Sequence, residues 1–170
     1  KPIVFIFVSA TPAAGDWAGL VILGNAPTNS TFNGQAGIGE IEGGINNSDG
    51  LGLYGLGASS NPADNSGILR YVRIEYAGYA FLPDKGLDDD WDVDNGFSGK
   101  VQFGISMRDS SVADISGSNG FEVDNDAGGS TNAPQTSAVF SNMTVIGPRA
   151  ALSNVANSNF KRGMHLRRNS

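Results

Sequence analysis

The sequence predicts an all-β fold, a right-handed parallel β-helix, and three observations support this prediction. Glycine occurs 24 times in 170 residues, and Asn, Asp and Ser are also frequent, as in folds built from short strands and tight turns. No stretch of about 10 to 12 residues keeps the apolar spacing of an amphipathic helix without a Gly or Pro inside it. A strand motif also returns 30 residues later, at Phe121 after Trp91, which is typical of stacked coils.

The repeated motif consists of an aromatic residue, an acid, valine, aspartate and asparagine. It occupies residues 91–95 and returns at residues 121–125. Both copies alternate apolar and acidic residues, which indicates a strand with one buried and one exposed face. We therefore expect Trp91 and Val93 to point inward and the acids to point outward. If the copies lie on neighbouring coils, the acids stack at the strand spacing of about 4.8 Å.

Short apolar segments bounded by Gly, Pro, Asn and Ser predict the strands in chain order. In the first half of the chain the predicted strands are residues 3–8, 19–24, 38–41, 51–54 and 68–76. In the second half they are residues 87–94, the second motif copy, and residues 101–108, 138–146 and 160–166. The loops between them are rich in Gly, Asn and Ser, and no helix fits between the strands.

Alternation within these strands predicts which side chains point inward, since a shift of one residue would expose all of them. A charge introduced at Ile105 is therefore expected to abolish soluble expression, whereas Arg108→Ala is expected to be mild. The residues predicted to point inward are Val72, Ile74, Val93, Val101, Phe103, Ile105, Val123, Val145, Met164 and Leu166.

A β-sandwich or barrel is the alternative fold. Its adjacent strands would be joined by two-residue Asn-Gly or Asp-Gly turns. Such pairs begin at Asn33, Asp49, Asn95 and Asn119, but only the last two adjoin the motif copies, and they do so on opposite sides. The repetition of whole strand units therefore favours the β-helix.

The formal net charge of −6 is unevenly distributed. Residues 84–94 hold six aspartates and one lysine, whereas residues 161–168 hold four cations and the only histidine. One short basic segment in an acidic chain argues against nucleic-acid binding, which needs several cations on one surface. Cysteine is absent, so disulfides and thiolate metal sites are excluded. The apolar run at residues 3–8 is far shorter than the roughly 18 residues of a membrane span.

Three segments of the chain carry a family resemblance. They are residues 15–27 (Gly-Asp-Trp-Ala-Gly-Leu-Val-Ile-Leu-Gly-Asn-Ala-Pro), 61–75 (Asn-Pro-Ala-Asp-Asn-Ser-Gly-Ile-Leu-Arg-Tyr-Val-Arg-Ile-Glu) and 141–148 (Ser-Asn-Met-Thr-Val-Ile-Gly-Pro). They resemble secreted or lipid-anchored proteins, common in Bacteroidota, that are similar to pectate-lyase-type β-helices. The resemblance covers most of residues 15–170. It implies a right-handed parallel β-helix and a secreted or cell-surface location, and it brings no established reaction and no catalytic residues.

The chain departs from this family in two places. Gly86 joins residues 81–85 directly to the acidic strand, where the family would continue through about two more coils. The family would also continue through further coils after Ser170. We therefore expect residues 1–170 to form a single β-helix domain that lacks internal and C-terminal coils. An uncapped last coil exposes strand edges, so we also expect self-association through residues 160–166, or a natural protein that continues beyond Ser170.

The acidic repeat is the candidate functional site. Stacked carboxylates repel one another unless a cation or a proton intervenes, and hard oxygen ligands favour Ca²⁺. The spacing does not match an EF-hand, because Gly96 comes one position late and Val101 stands where a glutamate is required. A solvated acidic ridge is the alternative. The candidate metal ligands are Asp90, Asp92, Asp94, Glu122 and Asp124, and the candidate binding residues are Trp91, Asp92, Asp94, Glu122 and Asp124.

Two functions remain open at this point. The first is a non-catalytic extracellular or cell-surface scaffold that binds a polysaccharide or a surface protein. The second is a polysaccharide lyase or glycoside hydrolase that uses the acidic cluster with Ca²⁺, since a glycosidase needs two carboxylates about 5 to 9.5 Å apart. A lyase also needs a base, for which Lys100 and Arg108 are the cations between the two motif copies. His165 is the only histidine, which excludes a histidine-based triad, and it is expected at the surface.

Overall fold

The fold is taken from a computed structural model, which describes residues 1–41, 49–77, 88–150, 153 and 155–167. Throughout these ranges the regular structure consists almost entirely of short strands. A single 3₁₀ turn, Gly57–Ser59, is the one helical segment among them. None of the described segments is a helix long and apolar enough to cross a membrane.

Each strand is only two or three residues long. The first half of the chain forms β1 (Ile3–Phe5), β2 (Thr31–Phe32), β3 (Gln35–Ala36), β4 (Gly39–Glu40), β5 (Leu53–Tyr54) and β6 (Val72–Ile74). The second half forms β7 (Trp91–Val93), β8 (Lys100–Gln102), β9 (Ile105–Met107), β10 (Ser118–Asn119), β11 (Phe121–Val123), β12 (Val139–Ser141), β13 (Thr144–Ile146), β14 (Phe160–Arg162) and β15 (His165–Leu166).

The second half is stacked by parallel pairing between strands that are far apart in sequence. Strand β11 lies between β7 and β15, while β8 pairs with β12, β9 with β13 and β10 with β14. The chain thus returns to the same sheets in the same order on successive coils. This is the arrangement of a parallel β-helix, so the predicted fold class is confirmed.

In the first half, one parallel pair encloses two hairpin-like pairs. Strand β1 runs parallel to β6, with Ile3 opposite Val72, and Trp17 forms a parallel bridge with Ala77. Between them β2 pairs with β3, and β4 with β5, both antiparallel. The strand predicted at residues 19–24 is wrong, because residues 18–25 have no regular secondary structure.

Corners interrupt three of the long predicted strands. Residues 101–108 divide into β8 and β9 at Phe103, residues 138–146 divide into β12 and β13 at Asn142, and residues 160–166 divide into β14 and β15. Phe103 and Asn142 both adopt the left-handed conformation, with φ of 58° and 52°. A left-handed residue turns the chain, so the alternation of side chains starts again after the corner.

This restart makes several inward predictions wrong. Val123 is buried, and Val72, Val93, Val101 and Val145 are half-buried, as predicted. In β9, however, Ser106 is the half-buried residue, whereas its neighbours Ile105 and Met107 are 71% and 77% exposed. Five residues predicted to point inward are exposed: Phe103, Ile105, Met164 and Leu166 lie at or after a corner, whereas Ile74 is exposed in β6 without one.

The core of the second half is aromatic. Phe121 is 6% exposed and stacks on Trp91 of the neighbouring coil, with ring centroids 6.4 Å apart. Phe140 meets Phe121 edge-on at 5.2 Å. Gly104 makes room for this cluster, because a Cβ at that position would collide with Met143 and Trp91. The coils are therefore held together by ring contacts, each of which contributes about 0.5–1.5 kcal/mol beyond burial.

The left-handed corner at Phe103 generates a stability prediction. Phe103→Asn is expected to raise the free energy of unfolding by about 1 kcal/mol, because asparagine tolerates this conformation better than a bulky side chain does. The ring is 74% exposed, so little burial is lost, and the next coil already carries Asn142 at its corner. Urea unfolding measures the gain. Phe103→Ala is the control, since it removes the ring without relieving the backbone, and equal stability of the two variants would contradict this account.

The reversed register in β9 generates a second prediction. Ile105→Lys is expected to change the free energy of unfolding by no more than about 0.5 kcal/mol, because the side chain is already exposed. Val123→Lys is expected to prevent soluble expression, because it would bury a charge at a position only 9% exposed. Soluble yield and circular dichroism compare the two variants. Loss of folding in Ile105→Lys would restore the inward assignment made from the sequence.

Candidate functional site

The two copies of the acidic motif lie side by side. Strand β7 runs parallel to β11, so Asp92 lies opposite Glu122 and Val93 lies opposite Val123. This is the adjacency that the repeated motif predicted. Asp92 and Asp94 are exposed, Glu122 is half-buried, and Asp124 is buried at 5% exposure.

The third coil places basic side chains beside the second copy of the motif. His165 lies opposite Glu122 in the ladder, with its Nδ1 3.5 Å from Glu122 Oε2. The Arg167 guanidinium pairs with the Glu122 carboxylate, and its Nε lies 3.4 Å from Asp124 Oδ2. The repulsion expected between stacked acids is therefore offset by side chains of the chain itself. We call the stacked side chains of Asp92, Glu122, Asp124, His165 and Arg167 the acidic row. His165 therefore belongs to this row and is not an isolated surface histidine.

The five predicted metal ligands lie in three different surroundings. Glu122 and Asp124 share Arg167, Asp92 and Asp94 lie on the exposed face, and Asp90 pairs with Arg108. Across the part of the chain that the structure describes, no three His, Asp or Glu side chains are grouped so that they could hold a metal ion. The Ca²⁺ site remains a prediction.

Arg108 is only 9% exposed, which is contrary to the mild effect expected of its replacement. Its guanidinium lies 2.7 Å from Asp90 Oδ1, donates to the Asp88 carbonyl oxygen at 3.0 Å, and lies 5.8 Å from the centre of the Phe160 ring. Ser106 Oγ donates to the other Asp90 carboxylate oxygen at 3.0 Å. Burial raises the pKa of Asp90 above its ordinary value, although the charge of Arg108 opposes this shift.

Asparagine ends both motif copies, and the second one forms a buried junction. The Asn125 side chain has no exposed surface. Its Nδ2 donates to the carbonyl oxygens of Ser130 and Asn132, at 2.9 and 3.1 Å, and its Oδ1 accepts from the Thr136 N–H at 2.9 Å. The Asn95 N–H donates to the Asn125 carbonyl oxygen at 2.9 Å. The amide therefore fixes both the stacking of the two coils and the path of the loop after β11.

The hairpins of the first half dock on the same junction. Thr28 is buried, and its hydroxyl donates to the Asn95 carbonyl oxygen at 2.6 Å. Asn29 Nδ2 lies 3.1 Å from the Asn125 carbonyl oxygen and 3.2 Å from that of Pro134. These bonds connect residues 67 to 105 positions apart in the sequence.

A polar cleft of about 460 Å³ opens between the hairpins and the loop after β11. Its hairpin wall includes the aromatic residues Phe32 and Tyr54, and the Tyr54 hydroxyl lies 3.1 Å from Ser30 Oγ. Burial raises the pKa of Tyr54, which keeps its phenol neutral. The polar residues that line the cleft are Asn29, Ser30, Thr31, Glu40, Tyr54, Asn95, Asp126, Ser130 and Asn132.

The loop wall of the cleft is a turn built around Asp126. Its Oδ1 accepts the N–H groups of Gly128 and Ser130, at 2.8 and 3.1 Å, and its Oδ2 accepts the Ser130 hydroxyl. These bonds hold the pKa of Asp126 below its ordinary value. The wall is therefore ordered by its own hydrogen bonds, independently of any bound molecule.

The sequence did not reveal this cleft. Residues 25–37 appeared only as a polar, turn-rich loop, and the segment around Asp126 carried no signal of its own. Two aromatic residues, Phe32 and Tyr54, among many Asn, Ser and Asp residues were the available hint. Their approach to Asp126 depends on pairings across most of the chain, which composition and alternation do not report.

Comparison with known protein families gives one match. The family described as pectate-lyase like β-helix domain matches residues 1–87, which is half of the chain. The chain belongs to the pectate-lyase-like β-helix family. The matched half of this β-helix protein carries two of the three segments that showed the resemblance, together with the hairpin wall of the cleft. Comparisons with curated proteins and with solved structures give no match.

The buried pair of Arg108 and Asp90 generates a prediction about stability and pH. Arg108→Met is expected to lower the free energy of unfolding by roughly 3 kcal/mol at neutral pH, because it leaves the Asp90 carboxylate buried without its cation. The folded chain binds a proton at Asp90 more readily than the unfolded chain does, so the variant regains stability as the pH falls through this raised pKa.

Urea unfolding at neutral pH and at about pH 4.5 measures this effect. The double variant Arg108→Met, Asp90→Asn is the control, and it is expected to recover most of the stability and to lose the difference between the two pH values. A loss in Arg108→Met that is equal at both pH values would contradict the assignment.

Proposed function

We propose that this protein is a non-catalytic β-helix scaffold, secreted or at the cell surface of a member of the Bacteroidota, that binds a glycan weakly in the polar cleft. The observation that carries the proposal is the cleft itself, which is lined by two aromatic residues together with amides, hydroxyls and carboxylates. Its volume lies within the range of about 300–1,000 Å³ that is usual for ligand sites. Sugar hydroxyls need such donors and acceptors, and the apolar faces of sugar rings pack on aromatic rings.

The order of the cleft walls supports binding. The loop wall is held by the bonds to Asp126 and by the buried Asn125 amide, and the hairpin wall is held by Thr28 and Asn29. A site that is already ordered loses less conformational entropy when a ligand binds. The cleft therefore favours recognition even where each polar contact is modest.

The surroundings of the acidic row support a scaffold rather than an enzyme. A glycosidase needs one carboxyl group that can donate a proton to the glycosidic oxygen and a second that attacks or activates water. Here the Glu122 and Asp124 carboxylates both face Arg167, and Glu122 also faces His165. Their oxygens are used in ion pairs between coils, so we assign this row to holding the third coil in register.

A binding experiment tests the proposal. Titration calorimetry with soluble oligosaccharides is expected to show weak binding that Phe32→Ala reduces by up to about tenfold, since an aromatic contact contributes about 0.5–1.5 kcal/mol. Phe7→Ala is the matched control, because Phe7 is 48% exposed and does not line the cleft. Melting temperatures confirm that both variants fold.

Two results would overturn the proposal. The first is the absence of binding to any oligosaccharide by folded protein. The second is the release of reducing or unsaturated ends from a polysaccharide, stopped by the double substitution Asp92→Asn, Glu122→Gln and dependent on Ca²⁺. That second result would establish the enzyme that the stacked acids first suggested.

A further inference from the structure

The charged side chains that line the cleft all have the same sign. Glu40 and Asp126 are the ionisable carboxylates of the lining, and no Lys, Arg or His is among the described residues that form it. The electrostatic potential inside the cleft is therefore negative.

The two lining carboxylates come from opposite walls. Glu40 belongs to β4, which pairs with β5 in the hairpin wall, with Glu40 opposite Leu53. Asp126 belongs to the loop wall, where bonds from Gly128 and Ser130 hold its carboxylate in place. A ligand between the walls is exposed to negative charge from both sides, whatever its orientation.

The other polar groups of the cleft are neutral and fixed. The Tyr54 phenol is uncharged and lies beside Ser30 Oγ, and the Asn29 amide is oriented by its bonds to the Asn125 junction. Asn29 Oδ1 is buried and has no hydrogen-bond partner within the protein. Because this oxygen has no accessible surface, a ligand does not reach it, and recognition rests on the lining carboxylates, hydroxyls and amides.

We propose that the cleft recognises an amine-bearing glycan, one that contains hexosamine units with free amino groups, and that it disfavours polyuronates. This inference rests on the glycan-binding function proposed above and names its ligand class. A protonated amine provides positive charge and three donors, which match the two lining carboxylates of Glu40 and Asp126. A uronate carboxylate would add a like charge where the lining has no cation to compensate it.

The experiment compares three oligosaccharides of equal length: an oligomer of glucosamine, its N-acetylated counterpart, and an oligomer of galacturonate. Binding is measured by calorimetry at about pH 6, where a sugar amine carries a proton. The glucosamine oligomer is expected to bind at least about fivefold more tightly than the acetylated one, with the galacturonate oligomer weakest. This preference is expected to shrink as salt is added, because exposed charges are screened.

Glu40→Gln removes one negative charge from the cleft lining and keeps the size of the side chain. It is expected to remove most of the preference for the glucosamine oligomer while leaving the affinity for the acetylated oligomer within about twofold. Asp109→Asn is the matched control, because it removes one negative charge from an exposed loop outside the cleft, and it is expected to leave the preference unchanged.

Each outcome has a defined meaning. Equal or tighter binding of galacturonate, or an unchanged preference in Glu40→Gln, overturns the inference while glycan binding itself stands. Failure of all three oligomers to bind folded protein overturns the inference and, together with a negative wider screen of oligosaccharides, the proposed function as well. The expected order with its loss in Glu40→Gln supports both.

Discussion

The hydrogen bonding of the buried Asn125 side chain is the constraint on which the rest of the structure depends. Its amide has no exposed surface and satisfies two carbonyl oxygens and one N–H of the following loop, while the backbone oxygen of the same residue receives bonds from Asn95 and Asn29. A buried polar group left without its partner costs about 1–3 kcal/mol. The stacked coil, the loop and the hairpins must therefore all adopt the positions that complete this network.

The in-register stacking that this junction supports also explains the acidic row. The parallel ladder that brings Asp92 against Glu122 continues to His165 on the third coil, so a like-charge contact on one side of Glu122 is balanced by basic side chains on the other. The motif that first suggested a cation site thus also forms ion pairs between coils. An acidic repeat in a β-helix can take this structural role when the next coil carries basic side chains in the same register.

The cleft depends on the contact between two segments, of which only one lies in the part of the chain that matches the family. The hairpin wall belongs to residues 1–87, which match the family, whereas the loop wall follows β11 in the coils beyond that match. The cleft is lined by residues of both segments. A binding specificity carried by this cleft would therefore be a property of this particular combination and need not be shared by other members of the family.

The sequence by itself determined the all-β parallel fold and the adjacency of the two motif copies, because strand alternation and repetition are local properties that survive folding. It did not determine where each strand turns. Phe103 adopts a left-handed conformation that its own preferences oppose, in line with Asn142 on the next coil, and this corner places Ser106 and Arg108 inside and Ile105 outside. The cleft was equally hidden, because Asn29 and Asn125 are 96 positions apart and only the tertiary structure brings them into contact.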